Sequence, residues 1–167
     1  MIKIKVDHVG LVVKDMKAAL KFYEEMFGFK LPKTGPYSAV IPETMEKMGH
    51  DQKYALIRAP NDDFYIELTE PKTGNYVKRL EKSGEGSMHE LCVEIDTLKE
   101  FKEFRRRVEK MGMTVLDEND RPLAKGEYQV APTGSMVFYL PRDMALGTWI
   151  EILYRPWKHK SRRLNKK

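Results

Sequence analysis

A single cysteine, Cys92, is the only thiol in the chain, so no internal disulfide can form. It lies in the apolar segment LCVEI and reads as a small core residue rather than a nucleophile. No apolar run approaches the roughly 20 residues that a membrane helix requires, so no membrane span is expected. The first residues, MIKIKVDHVGLVV, alternate and then pass into a helix pattern, without the basic, apolar and small-residue succession of a secretory leader, and a cytoplasmic location is the expectation. Acidic residues are missing after Glu151, whereas seven cations follow from Arg155 to Lys167. The formal charge of +5 therefore resides in this tail, and the rest of the chain carries −2, which argues against a nucleic-acid partner for the body. What is present, 41% hydrophobic and 33% charged residues over 167 positions, describes a soluble globular protein of one domain, or of two small halves sharing a core.

The chain repeats itself. KVDHVGLVVKDM, from Lys5, matches GSMHELCVEIDTL, from Gly86, when His8 is set on His89, an offset of 81 residues. Asp15 then falls on Asp96, and both read as helix N-caps. Apolar residues at helical spacing follow in each half, over Met16 to Phe27 and Leu98 to Met111, and each run stops at a glycine, Gly28 or Gly112. Short strands are expected after each glycine, in FKL and MTVL. At the offset of 84 that relates the glycines, Ile66-Glu67-Leu68 falls on Ile150-Glu151-Ile152. Strand pairs are expected in YALIRAP with FYIELTE and in MVFYLP with TWIEIL. Each half thus reads strand, helix, strand, strand, strand. The expected fold is α+β, with two tandem βαβββ modules at about 1–80 and 84–155 in one domain of residues 1–155, mostly antiparallel ladders, and a basic tail at 156–167.

Ligand-type residues recur at matched places: His8 with His89 in the first strand of each half, and Glu67 with Glu151 in the last. A lone histidine in a strand is usually structural, and an isolated glutamate usually faces solvent. Four such residues on equivalent strands of a duplicated sheet can converge on one point, and alternation puts Tyr65, Glu67 and Thr69 on one strand face with Ile66 and Leu68 behind. Two imidazoles and two carboxylates without a thiolate suit an open octahedral site for one divalent ion, with Zn²⁺, Ni²⁺, Co²⁺, Mn²⁺, Mg²⁺ and Fe²⁺ all chemically admissible.

The segments DHVGLVVKDMKAALKFYEEMFGF, YIELTEP, MHELCVEID and GTWIEIL resemble the vicinal oxygen chelate superfamily of glyoxalase I, methylmalonyl-CoA epimerase, extradiol dioxygenases and the fosfomycin and bleomycin resistance proteins. The resemblance covers about residues 3–155. It implies a cupped mixed sheet around a divalent metal held by His8, Glu67, His89 and Glu151, a homodimer, and a small-molecule substrate bearing a carbonyl.

Within that superfamily the expected chemistry is proton transfer alpha to a carbonyl through a metal-stabilised enolate, the metal acting as Lewis acid. SMHELCVEID and VFYLPRD resemble the epimerases, as does EKMGHDQKYALIRAP, the stretch that matches their catalytic glutamate; on that match Glu46 and Glu151 are the acid/base pair, acting on an acyl-CoA. Three departures stand out: Leu140 replaces a histidine before the Pro-basic-Asp run, Glu67 stands where some epimerases have glutamine, and residues 33–53 and 117–134 form longer loops. Alternatives are a glyoxalase I-type lactoylglutathione lyase acting on a 2-oxoaldehyde thiol adduct, an Fe²⁺ extradiol-type dioxygenase, against which the fourth protein ligand speaks, and a non-catalytic small-molecule binding protein of the resistance type. His50 is a loop candidate beside Glu46, and Arg121, Lys125 and Arg142 are candidate contacts for an anionic substrate.

Overall fold

The structure, a computed structural model, describes residues 2–45, 50–60, 64–141 and 149–158, with the side chains of Met45 and His50 outside that description. The strands are β1 (Ile4–Val12), β2 (Ile41–Met45), β3 (His50–Arg58), β4 (Tyr65–Pro71), β5 (Met88–Ile95), β6 (Gln129–Val130), β7 (Met136–Leu140) and β8 (Trp149–Tyr154); the helices are α1 (Met16–Phe27), α2 (Asn75–Ser83) and α3 (Leu98–Lys110). The expected α+β class and the strand, helix, three-strand order of each half are both present. Two compact units form, one of Asp7–Leu91 and one of Met1–Val6 with Cys92–Lys167. No described helix is long and apolar enough to cross a membrane.

In the unit of Asp7–Leu91 the strand order is β2-β3-β4-β1, with β2·β3 and β3·β4 antiparallel and β4·β1 parallel. One sheet face is apolar. Ala55, Ile57, Ile66 and Leu68 pack with Val13 and Met16, and Val9, Leu11, Leu20 and Tyr23 close around them. Alternation then sends their neighbours to the other face, and the registers Leu56↔Glu67, Gly10↔Glu67 and His8↔Tyr65 put His8, Gly10, Leu56 and Glu67 there together. Helix α1 covers the apolar face because Asp15 caps its first turn, accepting from the Ala18 N–H at 3.0 Å, while Glu70 accepts from the Met16 N–H at 2.6 Å. Gly28 ends it in the left-handed conformation, φ 73°, as expected of a glycine terminator.

The other unit holds β6, β7 and β8 in antiparallel pairs, with a core of Ile95, Phe101, Val108, Val115, Phe138, Ile152 and Tyr154. Its helix α3 corrects one expectation. Thr97, not Asp96, is the N-cap: its hydroxyl accepts from the Glu100 N–H at 3.2 Å and donates to the Glu100 carboxylate at 2.8 Å. The Thr-x-x-Glu spacing of a capping box outcompetes an aspartate one residue earlier.

Three further expectations change. FKL and MTVL are not strands but single bridges, Lys30 to Arg58 and Leu116 to Pro122 and Tyr139. The second strand of each half instead lies in the stretches read as long loops, as β2 and β6. Helix α2 was not expected at all; its polar sequence NYVKRLEKS buries only Tyr76, too little apolar periodicity to be read as a helix.

Candidate metal centre

His8 leaves β1 on the polar sheet face and is fully engaged. Its Nδ1 lies 2.9 Å from the Asp7 carboxylate, and its Nε2 lies 3.4 Å from Glu90 Oε1 and 3.7 Å from Glu67 Oε2. A neutral ring that donates Nδ1–H to Asp7 presents its Nε2 lone pair to a cation, the arrangement by which a carboxylate orients a metal-binding histidine. Glu67 comes from β4, where the Thr69 hydroxyl donates to its Oε1 at 3.2 Å and leaves Oε2 turned to His8.

His89 is the least satisfied group. It has no exposed surface, and neither ring nitrogen has a hydrogen-bond partner among the described residues. Its Nδ1 is 3.5 Å from Glu90 Oε2, an ion-pair distance, and its ring tilts against Tyr76 with centroids 4.3 Å apart. A buried imidazole without hydrogen bonds is costly, and a metal ion would offset that cost.

Glu90 stands between the two imidazoles, 2% exposed, and also accepts from the Tyr76 hydroxyl at 3.4 Å. Burial pushes its carboxyl up, but the charge that His89 and His8 carry when protonated, together with the contact to His8, outweighs it, so the group is held well below the usual carboxylate range. One donor atom each from Glu67, His89 and Glu90 lie within 4.8 Å of one another. Donors around one ion at about 2.1 Å lie roughly 3 to 4.2 Å apart. The separations of 3.4 and 3.7 Å from His8 Nε2 fall in that window, so the donor set fits a divalent ion.

Of the expected ligands, three, His8, Glu67 and His89, lie in the unit of Asp7–Leu91, and the first two are in direct contact. Glu151 is in the other unit, on β8 opposite Tyr139, 7% exposed between the buried Trp149 and Leu153. Glu46 and Arg142 lie outside the described residues, as does the His50 side chain. Arg121 pairs with Asp117 at 3.1 Å, and Lys125 is exposed. Cys92 is fully buried, as its apolar segment suggests.

Asp7, Glu90 and Tyr76 were not anticipated as part of the site. Two of them had a signal: each acid adjoins a site histidine within a largely apolar strand, where an unpaired charge would be costly. Tyr76 had none, because its helix was not foreseen.

Residues 5–152 match the family model of the Glyoxalase/Bleomycin resistance protein/Dioxygenase superfamily, and the chain belongs to that superfamily. The uncharacterized protein YwbC of Bacillus subtilis (strain 168) is 27% identical over 151 residues, which span 90% of this chain and 98% of that one. Among solved structures, methylmalonyl-CoA epimerase from Mycobacterium tuberculosis shares the fold with a TM-score of 0.67 at 21% identity, covering 93% of this chain and 91% of its own. A hypothetical protein of Bacillus halodurans C-125 gives 0.68 at 23% identity, covering 92% and 95%. The Streptomyces coelicolor epimerase, in complex with 2-nitronate-propionyl-CoA, gives 0.66 at 22%, covering 93% and 99%.

Proposed function

We propose that the protein is a divalent-metal-dependent isomerase that moves a proton on the carbon alpha to a carbonyl, in the manner of methylmalonyl-CoA epimerase, with His8, Glu67 and His89 as metal ligands. The observation that carries this is the convergence of His8 and Glu67 beside a fully buried His89 whose nitrogens make no hydrogen bond among the described residues. Glu151 is the fourth ligand of the same proposal and, with Glu46, its acid/base pair; the support for both is the sequence repeat and the resemblance of the Glu46 segment. An acyl-CoA as substrate is supported by the segments SMHELCVEID and VFYLPRD and by the fold shared with epimerases.

A divalent ion bound there supplies Lewis-acid polarisation of the substrate carbonyl. The chain's own residues do the rest. Asp7 fixes the tautomer of His8, and Thr69 fixes which oxygen of Glu67 faces the imidazole. Glu90 places a carboxylate beside both rings, where it balances the charge of an incoming cation. The Tyr76 ring shields His89 from water.

The test combines metal analysis with isotope exchange. Protein loaded with each divalent ion is incubated in D₂O with methylmalonyl-CoA, related acyl-CoAs and a 2-oxoaldehyde thiol adduct. Deuterium is expected at the alpha carbon of an acyl-CoA, and its loss is expected in His8→Ala and His89→Ala. Label in the thiol adduct alone would make the protein a lyase, and iron-dependent oxygen uptake on a catechol would overturn the isomerase reading. The same proposal places the protein in the cytoplasm as a homodimer; sedimentation as a monomer would contradict the second part.

A further inference from the structure

Gly10 pairs in register with Glu67 on β4, and β1 runs between β4 and the first residues of β5, where His89 stands. Neighbouring strands lie about 4.8 Å apart, so His89 and Glu67 start roughly 10 Å from one another and their side chains must meet across β1. Their donor atoms do approach within 4.8 Å. The path crosses Gly10. A Cβ placed there would sit 2.3 Å from His89 Cε1, 2.5 Å from its Nε2 and 2.8 Å from Glu90 Cγ, all well inside van der Waals contact. Gly10 is not among the glycines in the left-handed conformation, so its backbone would accept any L-residue. What the position requires is empty space, the condition under which glycine in a strand marks a close approach.

We propose that Gly10 is a positioning residue: by lacking a side chain it seats the His89 imidazole over β1, within reach of Glu67. For its metal-affinity consequence this rests on the proposed metal reading, but the seating of the ring does not. Any side chain at position 10 pushes the His89 ring off β1 and Glu90 with it, while the contacts of His8 with Asp7 and Glu67 and of Thr69 with Glu67 remain.

The experiment uses the full chain with Gly10→Ala, His89→Ala and the double variant. In the metal-free protein, the Cε1–H of His89 lies near the Tyr76 ring, centroids 4.3 Å apart, and carries a ring-current shift. Gly10→Ala is expected to move that signal. Ni²⁺ affinity by calorimetry is expected to fall about 10- to 100-fold in Gly10→Ala, the range for a residue acting through a ligand. The double variant is expected to lose clearly less than the two single losses multiplied, because the ring on which Gly10 chiefly acts is already gone. An unmoved His89 signal in folded Gly10→Ala, or losses that multiply in the double variant, would overturn the proposal. Should Gly10→Ala fail to fold, recovery of folding in Gly10→Ala/His89→Ala supports it and continued failure overturns it. If the wild-type protein takes up no Ni²⁺, Co²⁺ or Zn²⁺, the metal reading falls and the ring signal alone decides the role of Gly10.

Discussion

Glu90 and Glu94 sit four residues apart on β5, both 2% exposed, and their surroundings are opposite. Glu94 meets permanent cations: Arg155 at 3.2 Å, Lys158 at 2.6 Å and Lys5 at 3.2 Å. Glu90 meets two imidazoles and a phenol, none of which carries an obligatory charge. Burying a carboxylate is tolerable only if something compensates it. Glu94 is compensated by the fold alone and so reads as architecture. Glu90 is compensated by groups whose charge depends on protonation or on a bound ion, so its environment belongs to chemistry. Burial by itself does not separate a structural acid from a site acid; the titration behaviour of the partners does.

The largest effect should come from Glu94. Replacing it with alanine removes the buried carboxylate that faces the 4% exposed Arg155, and stability should fall by about 3–5 kcal/mol in urea unfolding, with metal affinity per folded molecule unchanged. His89→Ala should do the reverse. Divalent-metal affinity should drop by more than about 100-fold, since a ligand matters at least as much as its supporting groups. Saturating metal at about 100 times the dissociation constant should stabilise the wild type by about 2.7 kcal/mol, chelation should remove that gain, and His89→Ala should show neither change. Glu90→Gln keeps the shape and much of the hydrogen bonding, so its unfolding free energy should move by about 1 kcal/mol or less while metal affinity falls about 10-fold. A Glu90→Gln loss as large as that of Glu94→Ala would break the comparison. Smallest of all, Lys5→Ala removes a half-exposed partner of Glu94 and should cost no more than about 0.5 kcal/mol, an effect that added salt erases.

Periodicity made much of the fold legible. Helix α1 lies where its apolar spacing and Asp15 placed it, and β4 and β8 lie where the two Ile-Glu repeats placed them. The short strands β2 and β6 were hidden, because a turn-rich stretch carries no alternation to read, and α2 was hidden because it buries one residue. In the site, His8, Glu67 and His89 stood out because duplication repeats them or their matched partners. Asp7 and Glu90 showed only as acids adjoining the two histidines, and Gly10 as an ordinary strand glycine, since the roles of Glu90 and Gly10 lie in distances across neighbouring strands.

The sequence by itself determined the duplicated βαβββ order and the ligand types on its matched strands, because both are carried by local spacing along the chain. Tertiary structure decided which acid stands between the two imidazoles, which hydroxyl reaches Glu90, and that an empty position on β1 makes room for His89. Those are contacts between strands and helices far apart in sequence, and only their packing brings such groups within a few ångströms.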